Sequence, residues 1–373
     1  MVDLGAEVAA LGSALNEAIQ RVIASGAFVR GPEVAAFEQE LAAYMDGCHV
    51  VSVANGTDAL QLAFMALGIG PGDEVIVPAF TFFATAEPLA LLGATPVVVD
   101  IEPDTFNVSV DAVEAALTES TRAIVPVHLF GQPAQMDAIS GLAVDRDCFV
   151  IEDTAQAIGA RFQGTPAGLL GHVGTLSFYP SKNLGAYGDG GAVVTRSADL
   201  AAQVKQLANH GAQRKYYHDQ IGVNSRLDGL HAAILRAKLP WLQDWTAARQ
   251  AAATRYDDAF DAFSDFRHWG LIRPYRGADR IHVFHQYTVR VPAAQRDELR
   301  SRLATCGIPT MVYYPVPLNK MPALVNRFGE MPACPEAERA ASEVLSLPMH
   351  PFLTDDDTTR VVTEIARFAG IRA

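Results

Sequence analysis

TLSFYPSKNLGAYGDGGAVVT, residues 175–195, decides how the rest of the chain reads. An apolar run, TLSFYP, ends in a polar turn that holds Lys182. A glycine-rich turn with Gly188, Gly190 and Gly191 follows, and then a second apolar run, GAVVT. The lysine sits between an apolar strand and a tight turn, so its amine is expected to be drawn into the interior. Desolvation favours the neutral form of an amine, and a neutral amine is what a Schiff base requires. Taken alone, Asp189-Gly190 is also an ordinary hairpin turn, and a lysine beside glycines is also an ordinary surface loop.

Outward from this stretch, short Val/Ile-rich runs alternate with helical patterns from about residue 50 to 245. The runs are HVVSVA, DEVIVP, TPVVVD, RAIVPVHL, CFVIED, GTLSFYP and GAVVT, with segments such as TDALQLAFMAL between them. Continuous rather than alternating apolar strands imply a sheet covered on both faces, which parallel crossover connections produce. The large unit is therefore α/β. Residues 238–260 read as a long helix interrupted early by Pro240. Beyond it YTVRV, IPTMVYY and DDDTTRVVTEIARFA make a smaller α+β unit, so the expected domains are residues 1–245 and 246–373.

Composition narrows the function. Of 373 residues half are apolar, and 29 Lys and Arg face 42 Asp and Glu, a formal charge of −13. Acidity without a cationic run argues against a nucleic-acid or anionic-membrane surface. Cys48, Cys148, Cys306 and Cys334 are scattered, with no CxxC and no nearby histidine pair, so they read as reduced thiols and no metal site is expected. The first residues, MVDLGAEVAAL, carry acid where a targeting peptide needs basic groups. The longest apolar runs fall short of the ~18 residues of a membrane span. The expectation is a cytoplasmic protein.

Two further motifs bear on chemistry. In VANGTDALQLA, residues 53–63, a strand ends at Asn55-Gly56-Thr57 and an amphipathic helix begins. Gly56 allows close backbone approach, Thr57 is read as the cap, and the exposed N–H groups seat an anion the size of a monophosphate. An ordinary capped turn has the same pattern. In IEDTAQA, residues 151–157, two acids close an apolar strand, where open α/β sheets bind ligands. Asp153 can hold a pyridinium nitrogen protonated, and Gln156 can face the same ring; a metal-binding or helix-capping acid fits this segment as well. Ser177 can reach the phosphate seated at Thr57. GIGPGDE, residues 68–74, follows a helix instead of a strand and has the wrong glycine spacing for a dinucleotide fingerprint. The lysine of a nucleoside-triphosphate loop is also missing.

The ordered set GTDAL, TFFATAEP, EDTAQA, SFYPSKNLGAYGDGGA and NSRLDGLHAAIL resembles the DegT/DnrJ/EryC1/StrS family of pyridoxal-phosphate sugar aminotransferases, from GPEVAAFE at residue 31 to SLPMHP at residue 346. The resemblance implies an aspartate-aminotransferase-type fold (PLP fold type I), with a large domain around a seven-stranded, mostly parallel sheet, a small C-terminal domain, and a homodimer with shared active sites. It places Lys182 on the Schiff-base lysine, Asp153 on the partner of the pyridine nitrogen and Gln156 near the ring hydroxyl. Gly56, Thr57 and Ser177 fall on phosphate ligands. Phe82 falls on the aromatic that stacks over the ring, and Asn224 on a residue that reaches the phosphate from the partner subunit. Arg226 is the candidate for gripping a substrate carboxylate, since a guanidinium fork makes two parallel bonds to one; an ion pair with Asp228 is the bland alternative. HGAQRKYYHD, residues 210–219, could meet a nucleotide diphosphate or be a solvated loop.

Within the family, NSRLDGLHAAIL, YYPVPLNKMPAL and VLSLPMHP look most like enzymes that aminate C3 of UDP-linked 2-acetamido-2-deoxy-3-keto-hexuronic acids. Tyr313 and Tyr314 are then the candidate sugar contacts, although Tyr313 stands where the subgroup has His, and Asn319 replaces a His found elsewhere in the family. His128 either touches the cofactor pocket or merely finishes a strand. The implied reaction moves an amino group from L-glutamate, which leaves as 2-oxoglutarate, to a keto sugar nucleotide, with pyridoxamine phosphate as the intermediate cofactor form. A dTDP-keto-6-deoxyhexose C3 or C4 aminotransferase, a sugar dehydratase and a non-catalytic regulator are the alternatives. Dehydratase relatives have histidine at the lysine position.

Overall fold

All seven apolar runs become strands of one sheet. In the computed structural model, which describes residues 2–263 and 265–372, they are β1 (His49–Val53), β2 (Glu74–Pro78), β3 (Thr95–Val99), β4 (Thr121–Ile124), β5 (Phe149–Asp153), β6 (Val173–Ser177) and β7 (Gly191–Thr195). The spatial order is β1-β7-β6-β5-β4-β2-β3. Only β7 runs against its neighbours, pairing antiparallel with both β1 and β6. The run RAIVPVHL forms a short strand because Pro126 has no N–H to donate. Beyond it only Val127 bridges, to Asp153.

The pleat sends successive side chains to opposite faces, and both faces are covered. Val193 enters one core with Val51, Val53 and Leu62, whereas Ala192 and Val194 enter the other with Phe37, Leu41 and Leu235. The helices responsible are α1 (Pro32–Tyr44), α2 (Gly56–Ala66), α3 (Ala198–Leu207) and α4 (Gly229–Lys238). This two-sided burial is why the strands lack polar alternation.

Pro240 sits in a single 3₁₀ turn, Leu239–Trp241, from which α5 (Leu242–Asp261) emerges. Leu242 belongs to the core under the sheet, whereas Ala252, Ala253, Tyr256 and Phe260 belong to a second core. The boundary expected at 245/246 therefore falls inside one helix. The second core also contains strand β8 (Tyr287–Arg290), helix α6 (Ala293–Thr305), strand β9 (Val344–Leu347) and helix α7 (Asp355–Ala369). The partner of β8 is β9 rather than the IPTMVYY run, of which only Met311 bridges, to Ser346. Leu318, Leu324, Ala337 and Ala340 return to the large core, so the two units interleave in sequence.

Candidate active site

The carboxyl ends of β1, β2, β5 and β6 open onto a cavity of about 710 Å³. Its walls include Gly56, Thr57, Phe82, Asp153, Gln156, Ser177, Lys182, Tyr313 and Tyr314, nine of the eleven residues singled out in the sequence. Strand ends supply them because a parallel sheet puts its loops at one edge.

Asp153 ends β5 and is almost fully buried. The Thr85 hydroxyl donates to its Oδ2 at 2.9 Å, and the Ala155 N–H to Oδ1 at 3.2 Å. Thr85 is itself paired with the Thr81 hydroxyl at 3.0 Å. The preceding acid does not join the cavity. Glu152 points to the opposite face, fully buried, and accepts the Gly168, Leu170 and Gly171 N–H groups at 2.7 Å each and His128 Nε2 at 2.8 Å. His128 Nδ1 accepts the Ala134 N–H at 3.1 Å, so its proton lies on Nε2 and the ring is structural. Strand alternation separates the two acids that the motif placed together.

Lys182 stands in the loop between β6 and β7, its own N–H bonded to Tyr179 O at 2.8 Å. Burial lowers its pKa to about 8, against the opposing pull of the Asp153 carboxylate. The amine can therefore shed its proton near neutral pH.

The anion seat forms where α2 begins. The cap is Asn55, whose Oδ1 accepts the Asp58 N–H at 2.8 Å; Thr57 lies inside the first turn, so the expectation that it caps the helix is corrected. The approach is close enough to demand glycine. A Cβ on Gly56 would stand 2.8 Å from Ser177 Cβ, and one on Gly191 only 2.4 Å from Asn55 O. Small residues thus let three backbone segments converge around the first turn of α2.

Aromatic and amide groups close the remaining wall. The Gln156 amide donates to the Tyr314 hydroxyl at 3.0 Å, and its Oε1 accepts the Phe130 N–H at 2.7 Å. Burial and the nearby Asp153 charge push the Tyr314 phenol well up, so it stays protonated. The Phe82 ring lies 5.9 Å from Tyr314 and is 57% exposed, so it is not part of the core. His285 and Gln286 are further lining residues that sequence reasoning missed, and buried Asn183 pairs with His285. His285 and Gln286 arrive from a segment about a hundred residues away, with no local motif to mark them.

Two candidates lie elsewhere. Asn224 is exposed and bridges Asn209. Arg226 lines a separate small hollow with Arg30, Glu38 and Ser52. It is not paired with Asp228, which instead caps α4 and binds His231 Nδ1 at 2.6 Å. The Arg214 and Lys215 loop forms an exposed hairpin, with the Arg214 guanidinium 3.8 Å from the Tyr217 ring centre. Asn319 is tied to Glu338 at 2.9 Å and does not line the cavity.

A desolvated lysine, a buried carboxylate across the cavity, a helix N-terminus with converging glycines, and an open aromatic face fit pyridoxal phosphate in both shape and donor chemistry. The comparisons agree. A UDP-2-acetamido-2-deoxy-3-oxo-D-glucuronate aminotransferase of Pseudomonas aeruginosa is 46% identical over 94% of this chain and 95% of its own. A protein of Geobacillus stearothermophilus called a pleiotropic regulatory protein is 46% identical over 99% of this chain and 98% of its own. The Bacillus subtilis NtdA crystal structure with bound cofactor PMP superposes with a TM-score of 0.89 at 32% identity, covering 96% of this chain and 82% of that one. The model of the DegT/DnrJ/EryC1/StrS aminotransferase family matches residues 10–366, and the chain belongs to that family of pyridoxal-phosphate-dependent enzymes.

Proposed function

We propose that this protein moves the amino group of L-glutamate to C3 of a UDP-linked 2-acetamido-2-deoxy-3-keto-hexuronic acid, acting as a cytoplasmic homodimer. The observation that carries the transaminase chemistry is the placement of the desolvated Lys182 amine and the Asp153 carboxylate in the walls of one cavity. The sugar is supported by the Pseudomonas relative and by the motifs shared with its subgroup. The dimer is supported by Arg226 and Asn224, which lie outside this chain's own cavity while their motif belongs to substrate and phosphate contacts.

Bound pyridoxal phosphate supplies a ring that accepts the electrons left when a proton leaves the substrate carbon. The protein's residues do the rest. Gly56, Thr57 and Ser177 hold the phosphate at the start of α2. Asp153, oriented by Thr85 and the Ala155 N–H, keeps a proton on the ring nitrogen. Phe82 covers one ring face and restrains its tilt. Gln156 and the protonated Tyr314 fix the ring's polar edge. The Lys182 amine, once displaced by substrate, would take up the proton of the substrate carbon at Nζ and hold it for return. Arg226 of the partner copy binds a carboxylate.

The test is a panel of UDP- and dTDP-linked keto sugars with glutamate as donor, read by cofactor absorbance and 2-oxoglutarate release. The expected outcome is amination of the UDP-keto-uronate, lost in Lys182→Ala and reduced more than about tenfold in Arg226→Ala. Turnover of only a dTDP-keto-6-deoxyhexose would overturn the sugar assignment. An absorbance band that glutamate leaves unchanged would favour a binding-only regulator, the role suggested by the name of the Geobacillus relative.

A further inference from the structure

A buried histidine on the cavity wall has one nitrogen committed and the other free. His285 is only 5% exposed and lines the cavity together with Lys182. Its Nδ1 lies 3.2 Å from Asn183 Oδ1. The Asn183 amide nitrogen donates to Val283 O at 3.1 Å, which fixes the amide's orientation and makes Oδ1 the acceptor. Nδ1 of His285 must therefore carry the hydrogen. In a neutral ring that leaves Nε2 as a bare acceptor, and Nε2 has no partner among the described residues. Burial and the positive charges of Lys182 and Arg249 hold the ring neutral, with a pKa well below the ordinary value.

The segment that carries His285 is held from two sides. The Val283 N–H donates to Gly131 O at 3.0 Å and the Gln286 N–H to Phe130 O at 3.3 Å, while Asn183 grips it from the residue next to Lys182. The imidazole is thus fixed relative to the lysine by hydrogen bonds that the lysine itself does not make.

We propose that His285 is a positioning residue for Lys182: its Nε2, which the lysine amine as it stands does not bond, accepts a hydrogen bond from that amine once substrate has displaced it and the side chain has turned toward the ring, which aims the nitrogen lone pair at the substrate carbon. A free amine has two hydrogens and one lone pair and rotates unless a hydrogen is anchored. Asp153 is the alternative acceptor, but its two oxygens are engaged by Thr85 and Ala155 and are needed at the ring nitrogen. The hydroxyls of Tyr179 and Ser181 also line the cavity, and each can turn its own hydrogen toward the amine. Nε2 of neutral His285 can only accept. This inference rests on the transamination proposed above.

The experiment uses holoenzyme with ¹⁵N-labelled histidine, the His285 signals being assigned by their loss in His285→Gln. The resting form is expected to show a neutral ring protonated at Nδ1. Glutamate converts the cofactor to its aminated form and frees the Lys182 amine, and the Nε2 resonance then moves upfield as it gains a hydrogen bond. In His285→Phe the half-reaction with glutamate slows about tenfold at unchanged KM, and the isotope effect from α-deuterated glutamate rises; His285→Gln, which keeps an acceptor, recovers most of both. Should His285→Phe fail to fold, Asn183→Ala releases the tautomer and is expected to show the same slower half-reaction and larger isotope effect. An imidazolium, an Nε2–H tautomer, or an Nε2 resonance that responds only to sugar nucleotide overturns the role of His285. If glutamate fails to aminate the wild-type cofactor, it is the transamination that has failed.

Discussion

At the scale of single residues, the proposed chemistry turns on whether Lys182 can be neutral when it is needed. Its pKa of about 8, against an ordinary 10.5, follows from removal of water around the ammonium, and Asp153 prevents a larger fall. The sign is definite. Below about pH 8 the amine is mostly protonated and cannot add to an aldehyde, and above it the neutral form dominates. Recombination of cofactor-free enzyme with pyridoxal phosphate should therefore accelerate roughly tenfold per pH unit up to about 8 and then level off. Stopped-flow absorbance measures this, and a rate that kept climbing to pH 10 would show an unperturbed lysine. His285 belongs to the same scale, because a neutral ring beside the lysine adds no charge to oppose it.

At the scale of elements, the acid pair closing β5 shows how one strand serves two purposes. Asp153 faces the cavity, while Glu152 faces away and gathers the turn at residues 168–171 beneath the sheet. A fully buried carboxylate is tolerated here because three backbone N–H groups and His128 surround it. Glu152→Gln would turn an amide group toward those donors. It should cost about 3 kcal/mol of stability, the scale of a broken buried charge interaction. Urea unfolding of the holoenzyme measures the loss, and a change within experimental error would mean that the turn is held by packing alone. The crossing of α2, β6 and β7 is as exacting, since Gly56 and Gly191 leave no room for a methyl group.

At the scale of the whole molecule, the lysine loop is tied to the N-terminal segment. Lys238, at the end of α4, is fully buried and donates to Gly185 O at 2.6 Å, three residues after Lys182. Its ammonium also meets Glu7 Oε1 at 2.5 Å and lies 3.9 Å from the Tyr187 ring centre. Glu7 belongs to a short helix, Leu4–Leu11, so the first residues of the described chain neutralise a charge next to the active-site loop. Burial lowers the Lys238 pKa, and Glu7 offsets part of that effect. Glu7→Gln leaves the ammonium without its carboxylate and should destabilise the protein by about 3 kcal/mol. A melting temperature equal to wild type, measured by calorimetry of the holoenzyme, would show that the Tyr187 face and the Gly185 carbonyl suffice.

The sequence by itself determined the sheet and most of the cavity. Seven apolar runs of strand length, covered on both faces, form the seven strands, because burial on both sides leaves a continuous apolar signature. Asp153, Lys182, Gly56 and Ser177 were legible because a parallel sheet places strand ends, and therefore their motifs, along one edge. Tertiary structure alone decided the rest. Asn55 rather than Thr57 caps α2, since the choice depends on where the backbone leaves its extended form. Glu152 turns inward by the pleat, the small domain pairs β8 with β9 instead of the Met311 run, and α5 passes from one core to the other. The pairing of Asn183 with His285 spans 102 residues of sequence. No local pattern carries such a contact, because the fold alone brings the segment from Val283 to Gln286 across to the lysine loop.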